Sequence, residues 1–388
     1  MSKRFELVGS LLRPADLLAY KHKIEHRDDI TYPFYDDFEG YEACEAAATK
    51  DVVEKQIAHG IHILTDGEVS KSLWHLDFVW GLEGTERFIA DHGYFFQDHD
   101  GNHGYETRKD IGIRIVKPLS GKNHNFIKVY QRLQDLAGNQ NLKLTVPSPS
   151  HIYGELCLLG IDQVIGEGEV YKTPEDLKKD LAKSYKEFID DYVAVGGKII
   201  QFDDCLWQLF SSDNSSSPFS ADKVNHEELA HLAQEFIDLN NDVIDYGHSK
   251  GLLVWTHNCR GNYDSHHMSD GSYETIANIF LEKQNYDRFF LEWDDDRAGS
   301  VSALSVLKDQ PQKEVVLGVL SSKTRTLDDE DRCLALLNEA AAIIPKDRLY
   351  LSHQCGFASC DCGNDLTEEE QWAKIDQGQR LAQSFWGE

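Results

Sequence analysis

Eight short β-branched or apolar runs punctuate this 388-residue chain, at residues 5–8, 61–64, 142–146, 198–202, 252–255, 288–291, 315–319 and 348–351. Between them lie longer stretches with helical periodicity. That alternation constrains the fold more than any other feature, because strands separated by helices pair in parallel through crossovers. Eight of them in a chain of this length predict an α/β architecture, a (β/α)8 barrel. Helix ends are written in capping chemistry. Thr173-Pro174-Glu175-Asp176 sets a capping hydroxyl and a proline before a helix running towards Val195, which Gly196-Gly197 stops. Helices are likewise expected over 225–250, closed by Gly251, and over 328–344, closed by Pro345. A doubly wound sheet is the alternative, but Val8-Gly9-Ser10-Leu11 after the first run lacks the glycine-rich dinucleotide turn.

One segment breaks the alternation. Residues from about 81 to 140 are rich in His, Asp, Gly and aromatics around an extended run, Gly112-Ile-Arg-Ile-Val-Lys-Pro118. They read as a hairpin-bearing insertion after the second strand, lying over the barrel mouth of a single catalytic domain spanning 1–388. Residues 211–220 read as a polar loop after the fourth strand.

Composition narrows the partners. A net charge of −28, from 67 acids against 39 bases, repels phosphate backbones and anionic lipid, so neither nucleic acid nor membrane is expected to bind. The opening MSKRFELVGS leads into a strand without the apolar core of a signal peptide, and no run approaches the roughly 20 apolar residues of a membrane helix. A cytoplasmic location follows as an expectation, with all eight cysteines reduced. Oligomeric state is not legible.

The chemistry sits where each strand ends. Ser10 follows the first run, Asp66-Gly67-Glu68 the second, Ser148 and Ser150 the third, and Asp203-Asp204 the fourth. His257-Asn258-Cys259 follows the fifth, Glu292 the sixth, Ser321-Ser322-Lys323 the seventh and Cys355-Gly356 the eighth. In a barrel these positions converge on one rim, where such enzymes hold their active sites. His257 and Cys259 flank one residue, so in extended backbone both point the same way. An H-x-C pair or a lone Cys is weak evidence for metal. His257, Cys259, Glu292 and Cys355 at successive strand ends form a zinc ligand set.

Two thiolates, an imidazole and a carboxylate leave Zn²⁺ net negative, too electron-rich for water activation. Such a site suits holding a substrate thiol as the reactive thiolate, and hence alkyl transfer to sulfur. Glu68 and Asp203 are placed to take a cationic amino group, and Ser10 with neighbouring N–H groups a carboxylate. The acceptor is therefore an amino-acid thiol of the homocysteine type. Other signals read as bland. Cys360 and Cys362 are assigned to a glycine-rich loop, and Cys44, Cys157, Cys205 and Cys333 to packing. Histidines 92, 99, 103, 124 and 151 are assigned to solvated loops.

Together these segments resemble the C-terminal catalytic barrel of cobalamin-independent methionine synthase, over nearly the whole chain. Val8-Gly9-Ser10 looks like the family's homocysteine-binding turn, and Asp66-Gly67-Glu68 and Ile200–Asp204 like its acidic motifs. Thr256-His-Asn-Cys259, Leu291-Glu292 and Gln354-Cys355-Gly356 are similar to its zinc-binding segments. The resemblance implies zinc, homocysteine as acceptor and 5-methyltetrahydrofolate or its polyglutamate as donor, with Arg114 and Ile115 as candidate donor contacts. Three departures matter. The family's additional N-terminal barrel is not expected, since this sequence opens directly on the catalytic one. Lys323 stands where the family has a proton-donating histidine, and is the candidate catalytic residue that protonates the leaving group. Leu209 replaces a folate-contacting glutamate, and Tyr153 stands near an expected tryptophan. A donor other than polyglutamylated folate, such as methylcobalamin or S-methylmethionine, is the alternative. A hydrolase with zinc-bound hydroxide and a protein with structural zinc are the remaining readings.

Overall fold

The computed structural model describes residues 1–97, 103–158, 163–211 and 226–387. Six parallel strands are hydrogen-bonded side by side in the order Leu349–His353, Glu314–Leu320, Arg288–Glu292, Leu253–Asn258, Ile199–Asp203, Leu144–Pro147. Ile63–Leu64 adds in parallel to Asn141–Leu142, which leads straight into the sixth of these. At the opposite edge Phe5 bridges Leu351, with the Glu6 N–H donating to Leu351 O at 2.9 Å and the Leu351 N–H to Arg4 O at 2.8 Å. Residues 5–10 then meet the second strand position, where the Leu11 N–H reaches Gly67 O at 2.9 Å and Thr65 Oγ1 donates to Gly9 O at 2.8 Å. The sheet closes into the expected (β/α)8 barrel.

The first expected strand is the exception, since residues 5–8 form a single bridge rather than a regular ladder. Its carbonyls are satisfied by side chains instead. Lys143 Nζ donates to Leu7 O at 2.6 Å and Gln201 Nε2 to Val8 O at 3.0 Å. Polar groups inside the barrel thus replace backbone pairing at the seam. Around them the inner wall is apolar and aromatic, with Val8, Ile199, Trp255, Phe290 and Val316 in one cluster. Strands buried on both faces, as Ile199–Asp203 and Arg288–Glu292 are, suit a sheet covered by helices.

The capping signals hold. Thr173 accepts from the Asp176 N–H at 3.2 Å to open helix Pro174–Ala194, and Gly196 at φ +88° ends it. Helices His226–Ser249 and Glu330–Ala341 occupy the other two expected stretches. The insertion is shorter than 81–140. It comprises two antiparallel pairs, Glu83–Phe88 with Gly112–Ser120 and Phe95–Gln97 with His103–Glu106. Helix Asn125–Ala137 then packs on helix Tyr41–Ala58 as part of the barrel wall. Its start is fixed by His124, whose Nδ1 accepts from the Phe126 N–H at 3.1 Å. The expected loop at 211–220 lies, beyond Ser211, outside the described residues, as does His99. Among the described residues no helix is long and apolar enough to cross a membrane.

Candidate active site

An open cleft of about 970 Å³ lies at the carboxyl ends of the strands. Val8, Ser10, Glu68, Asp203, His257, Cys259 and Cys355 all line it, so most of the residues singled out at strand ends converge. Asp204 does not, because adjacent residues of a strand face opposite ways. Its carboxylate is turned into the wall, where it accepts from Ser148 Oγ at 2.8 Å, Ser150 Oγ at 2.9 Å and Asn240 Nδ2 at 2.7 Å.

Four candidate ligands meet at one side of the floor. Ligand atoms of His257, Glu292 and Cys355 lie within 4.8 Å of one another, and Cys259 Sγ is 3.6 Å from Cys355 Sγ. His257 Nε2 is 3.9 Å from Glu292 Oε1 and also 3.0 Å from Gln354 O. Behind the ring Asp203 Oδ1 lies 3.5 Å from Nδ1 and is itself held by Gln201 Nε2 at 2.7 Å. A carboxylate behind a histidine fixes its tautomer and raises its basicity towards a metal. Burial pulls the His257 imidazole down, but Asp203, Cys355 and Glu292 outweigh it and raise the ring to about 9. Hydrogen bonding to Cys205 leads the influences that push the Cys259 thiol well up, and bonding to Cys259 does the same for Cys355. Glu292 Oε2 accepts from the Arg260 N–H at 3.1 Å, whereas Oε1 is buried without a hydrogen bond. Crowded thiols, a basic imidazole and a buried carboxylate oxygen without a hydrogen bond form a donor set that fits zinc.

Beside the ligands is a pocket floor made by two glycines. A Cβ on Gly356 would come within 2.0 Å of Ser10 Oγ, and one on Gly9 within 2.8 Å of Glu68 Oε1. Both turns therefore need glycine for close approach. Glu68, at φ +56°, is buried, and its Oε1 lies 3.2 Å from Lys71 Nζ and accepts from Thr145 Oγ1. Burial raises the Glu68 carboxyl, with Asp203 adding to it. The neighbouring Lys71 ammonium opposes that rise.

A further part of the lining was not legible as a unit. It carries Trp74, His75, Tyr94, Phe96, His151 and Glu155, with Leu209 and Met268 beside them. His151 and His124 correct the solvated-loop assignment: each is 5% exposed or less, because one lies on helix Pro149–Leu158 facing the cleft and the other caps a helix. Cys205 and Cys360, assigned to packing and to a loop, also line the cleft. Arg260, beside the metal ligands, is a further missed residue. It is buried over the Tyr273 ring at 4.9 Å, and among the described residues no carboxylate lies within ion-pair distance of it.

Other expected positions lie off the cleft. Arg114 is exposed on strand Gly112–Ser120, stacked over Phe88 at 4.9 Å, while Ile115 points into the core. Lys323 is buried, its Nζ donating to Gly261 O at 2.8 Å behind the turn that follows Cys259. Tyr153 packs edge-on against Phe236, and the tryptophan that faces the cleft is Trp74.

No protein-family model matches the chain. The uncharacterized protein YxjH of Bacillus subtilis is 35% identical over 384 residues, covering 99% of this chain and 94% of its own. A Listeria monocytogenes structure, provisionally assigned as a vitamin-B12-independent methionine synthase, superposes with a TM-score of 0.69 at 28% identity, covering 98% of this chain and 97% of its own. The methionine synthase of Sulfolobus acidocaldarius is 23% identical over 322 residues, covering 80% of this chain and 74% of its own. The chain belongs to one family with YxjH, and over its whole length it shares the fold of the structure assigned as a vitamin-B12-independent methionine synthase. The barrel superposes on the Listeria structure end to end, and ligand-capable atoms of His257, Glu292 and Cys355 meet at the cleft floor.

Proposed function

We propose that the chain is a zinc-dependent methyltransferase that moves a methyl group to the thiol of homocysteine. The observation that carries this reading is the convergence of His257, Cys259, Glu292 and Cys355 beside the Ser10–Gly356 floor, with Glu292 Oε1 buried and unpartnered. When bound, zinc would hold the substrate sulfur as a thiolate and so supply the nucleophile. The chain's own residues do the rest. Asp203 orients His257 and, with Glu68, receives the substrate ammonium. Val8, Gly9 and Ser10 shape the place of its carboxylate, and the unneutralised Arg260 guanidinium attracts anionic groups into the cleft. Lys323 acts as a positioning residue, its ammonium holding the Cys259–Gly261 turn.

The apolar wall of Trp74, Tyr94, Phe96 and Leu209 suits a flat heteroaromatic methyl donor, of which 5-methyltetrahydrofolate is the first choice. A non-folate donor such as methylcobalamin or S-methylmethionine is the second reading. It is favoured by the position of Arg114 and Ile115 off the cleft and by apolar Leu209 in place of an acid.

The test loads the protein with zinc and adds homocysteine. A stoichiometric proton release is expected, abolished in Cys355→Ser together with methionine formation, which should fall at least about 100-fold. A panel of mono- and polyglutamyl methyl-folate, methylcobalamin and S-methylmethionine then identifies the donor. Negligible zinc affinity, or thiol binding that ignores Cys355→Ser, defeats the reading.

A further inference from the structure

The cleft lining contains a second cluster with unspent ligand chemistry. Ligand atoms of His75, His151 and Glu155 all lie within 4.8 Å of one another, and each residue is more than nine-tenths buried while lining the cleft. His151 and Glu155 are four residues apart on helix Pro149–Leu158 and so share a face, while His75 sits immediately before helix Leu76–Gly81. The rings of His75 and His151 stand edge to face at 5.3 Å, and Trp74 packs on His151 at 4.7 Å.

Three facts say that something is owed to this cluster. Neither ring nitrogen of His151 has a hydrogen-bond partner, nor does His75 Nδ1. A buried imidazole with both nitrogens unsatisfied is costly and rare. Among the described residues Glu155 has no lysine or arginine within ion-pair distance; its neighbours are His75 Nε2 at 3.7 Å and the Tyr94 hydroxyl, which donates to it. Desolvation holds His151 near 3 and His75 well down, so both rings stay neutral with lone pairs available, and it raises the Glu155 carboxyl to about 7. A buried acid beside two neutral imidazoles, with no lysine or arginine among the described residues to balance it, is a ligand set suited to a metal ion.

We propose that His75, His151 and Glu155, with Tyr94 as a supporting hydroxyl, bind a second divalent transition metal on the donor side of the cleft. Its two nitrogens and one carboxylate contain no sulfur, so it prefers ferrous iron or another imidazole–carboxylate metal, where the other cluster takes zinc through thiolates. Three protein ligands on one side leave coordination positions open to the cleft, where an oxygen or nitrogen atom of the bound small molecule completes the shell. The aromatic packing of Trp74 fixes the rings and keeps bulk water from those positions.

Cobalt(II) titration of the full-length, chelator-stripped protein separates the two sites. Two equivalents are expected. One gives the intense near-ultraviolet charge-transfer band of thiolate ligation and is lost in Cys355→Ser. The other gives only weak visible ligand-field bands and survives Cys355→Ser. In Glu155→Gln, which keeps shape and hydrogen bonding, and in His151→Phe, which keeps the ring packed on Trp74, stoichiometry should fall from two to one with the thiolate band intact. That band also certifies the variants as folded. Parallel arms with ferrous iron under argon and with zinc establish which metal the second site prefers. A single equivalent in the wild type that carries the thiolate band, or a second that persists in both variants, overturns the proposal. Loss of the thiolate band alone would overturn the proposed function and leave this site standing.

Discussion

The two walls of one cleft solve opposite electrostatic problems. At His257 burial pulls the ring down, but the neighbouring carboxylates and thiols outweigh it and raise the ring to about 9. At His151 burial against Trp74 drives the ring to about 3, and no proton competes. Both places are equally buried, so burial alone does not set the sign. What differs is the charge company: Asp203, Glu292 and two sulfurs close around His257, against Glu155, aromatic rings and the weaker, outweighed pull of Asp203 at His151. A histidine in a rim full of anions becomes a cation trap, and one among rings becomes a neutral donor.

The largest effect that would break this contrast is on stability against pH in the metal-free protein. His151, held near 3 when folded against about 6.5 in the unfolded chain, contributes stability that is present above about 6.5 and lost as the pH falls towards 3. His353, near 3, and His124, near 4, act with the same sign. His257 acts oppositely: raised to about 9, it contributes stability present below 6.5 and lost as the pH climbs through 9. Each group changes stability by about 1.4 kcal/mol per pH unit within its window. Urea unfolding from pH 4 to 9 should therefore show a flatter acid limb in His151→Phe and a flatter alkaline limb in His257→Asn. Identical limbs in wild type and variants would dissolve the contrast.

A smaller effect sharpens it. Asp203→Asn removes the charge behind His257 while keeping the Gln201 hydrogen bond within reach. Zinc affinity should drop by about 10–100-fold, with cobalt binding at the His151 wall unchanged. Calorimetric titration of both metals reads this out, and equal losses at the two sites would mean they are one coupled network. The smallest effect expected is at Arg114→Ala. The side chain is exposed and off the cleft, so stability should move by about 0.5 kcal/mol or less and the donor KM should hold. A large rise in donor KM would restore Arg114 as a donor contact.

Sequence by itself determined the barrel, the capped helices and the residues at the strand ends. These are local properties: period, cap chemistry and position after a strand fix which residues reach the rim, whatever the rest of the chain does. His257, Cys259, Glu292 and Cys355 were legible for that reason, as were Ser10, Glu68 and Asp203. Only the tertiary structure decided which rim residues face the cleft. Asp203 turns in while Asp204 turns into the wall, and Lys323 is tied to Gly261 O. It also decided that His75 and His151 are dry, since their burial depends on an insertion strand carrying Tyr94 and Phe96 across the mouth from elsewhere in the chain. A histidine's surroundings are set by the neighbours that folding brings to it, and its spacing in sequence carries no record of them.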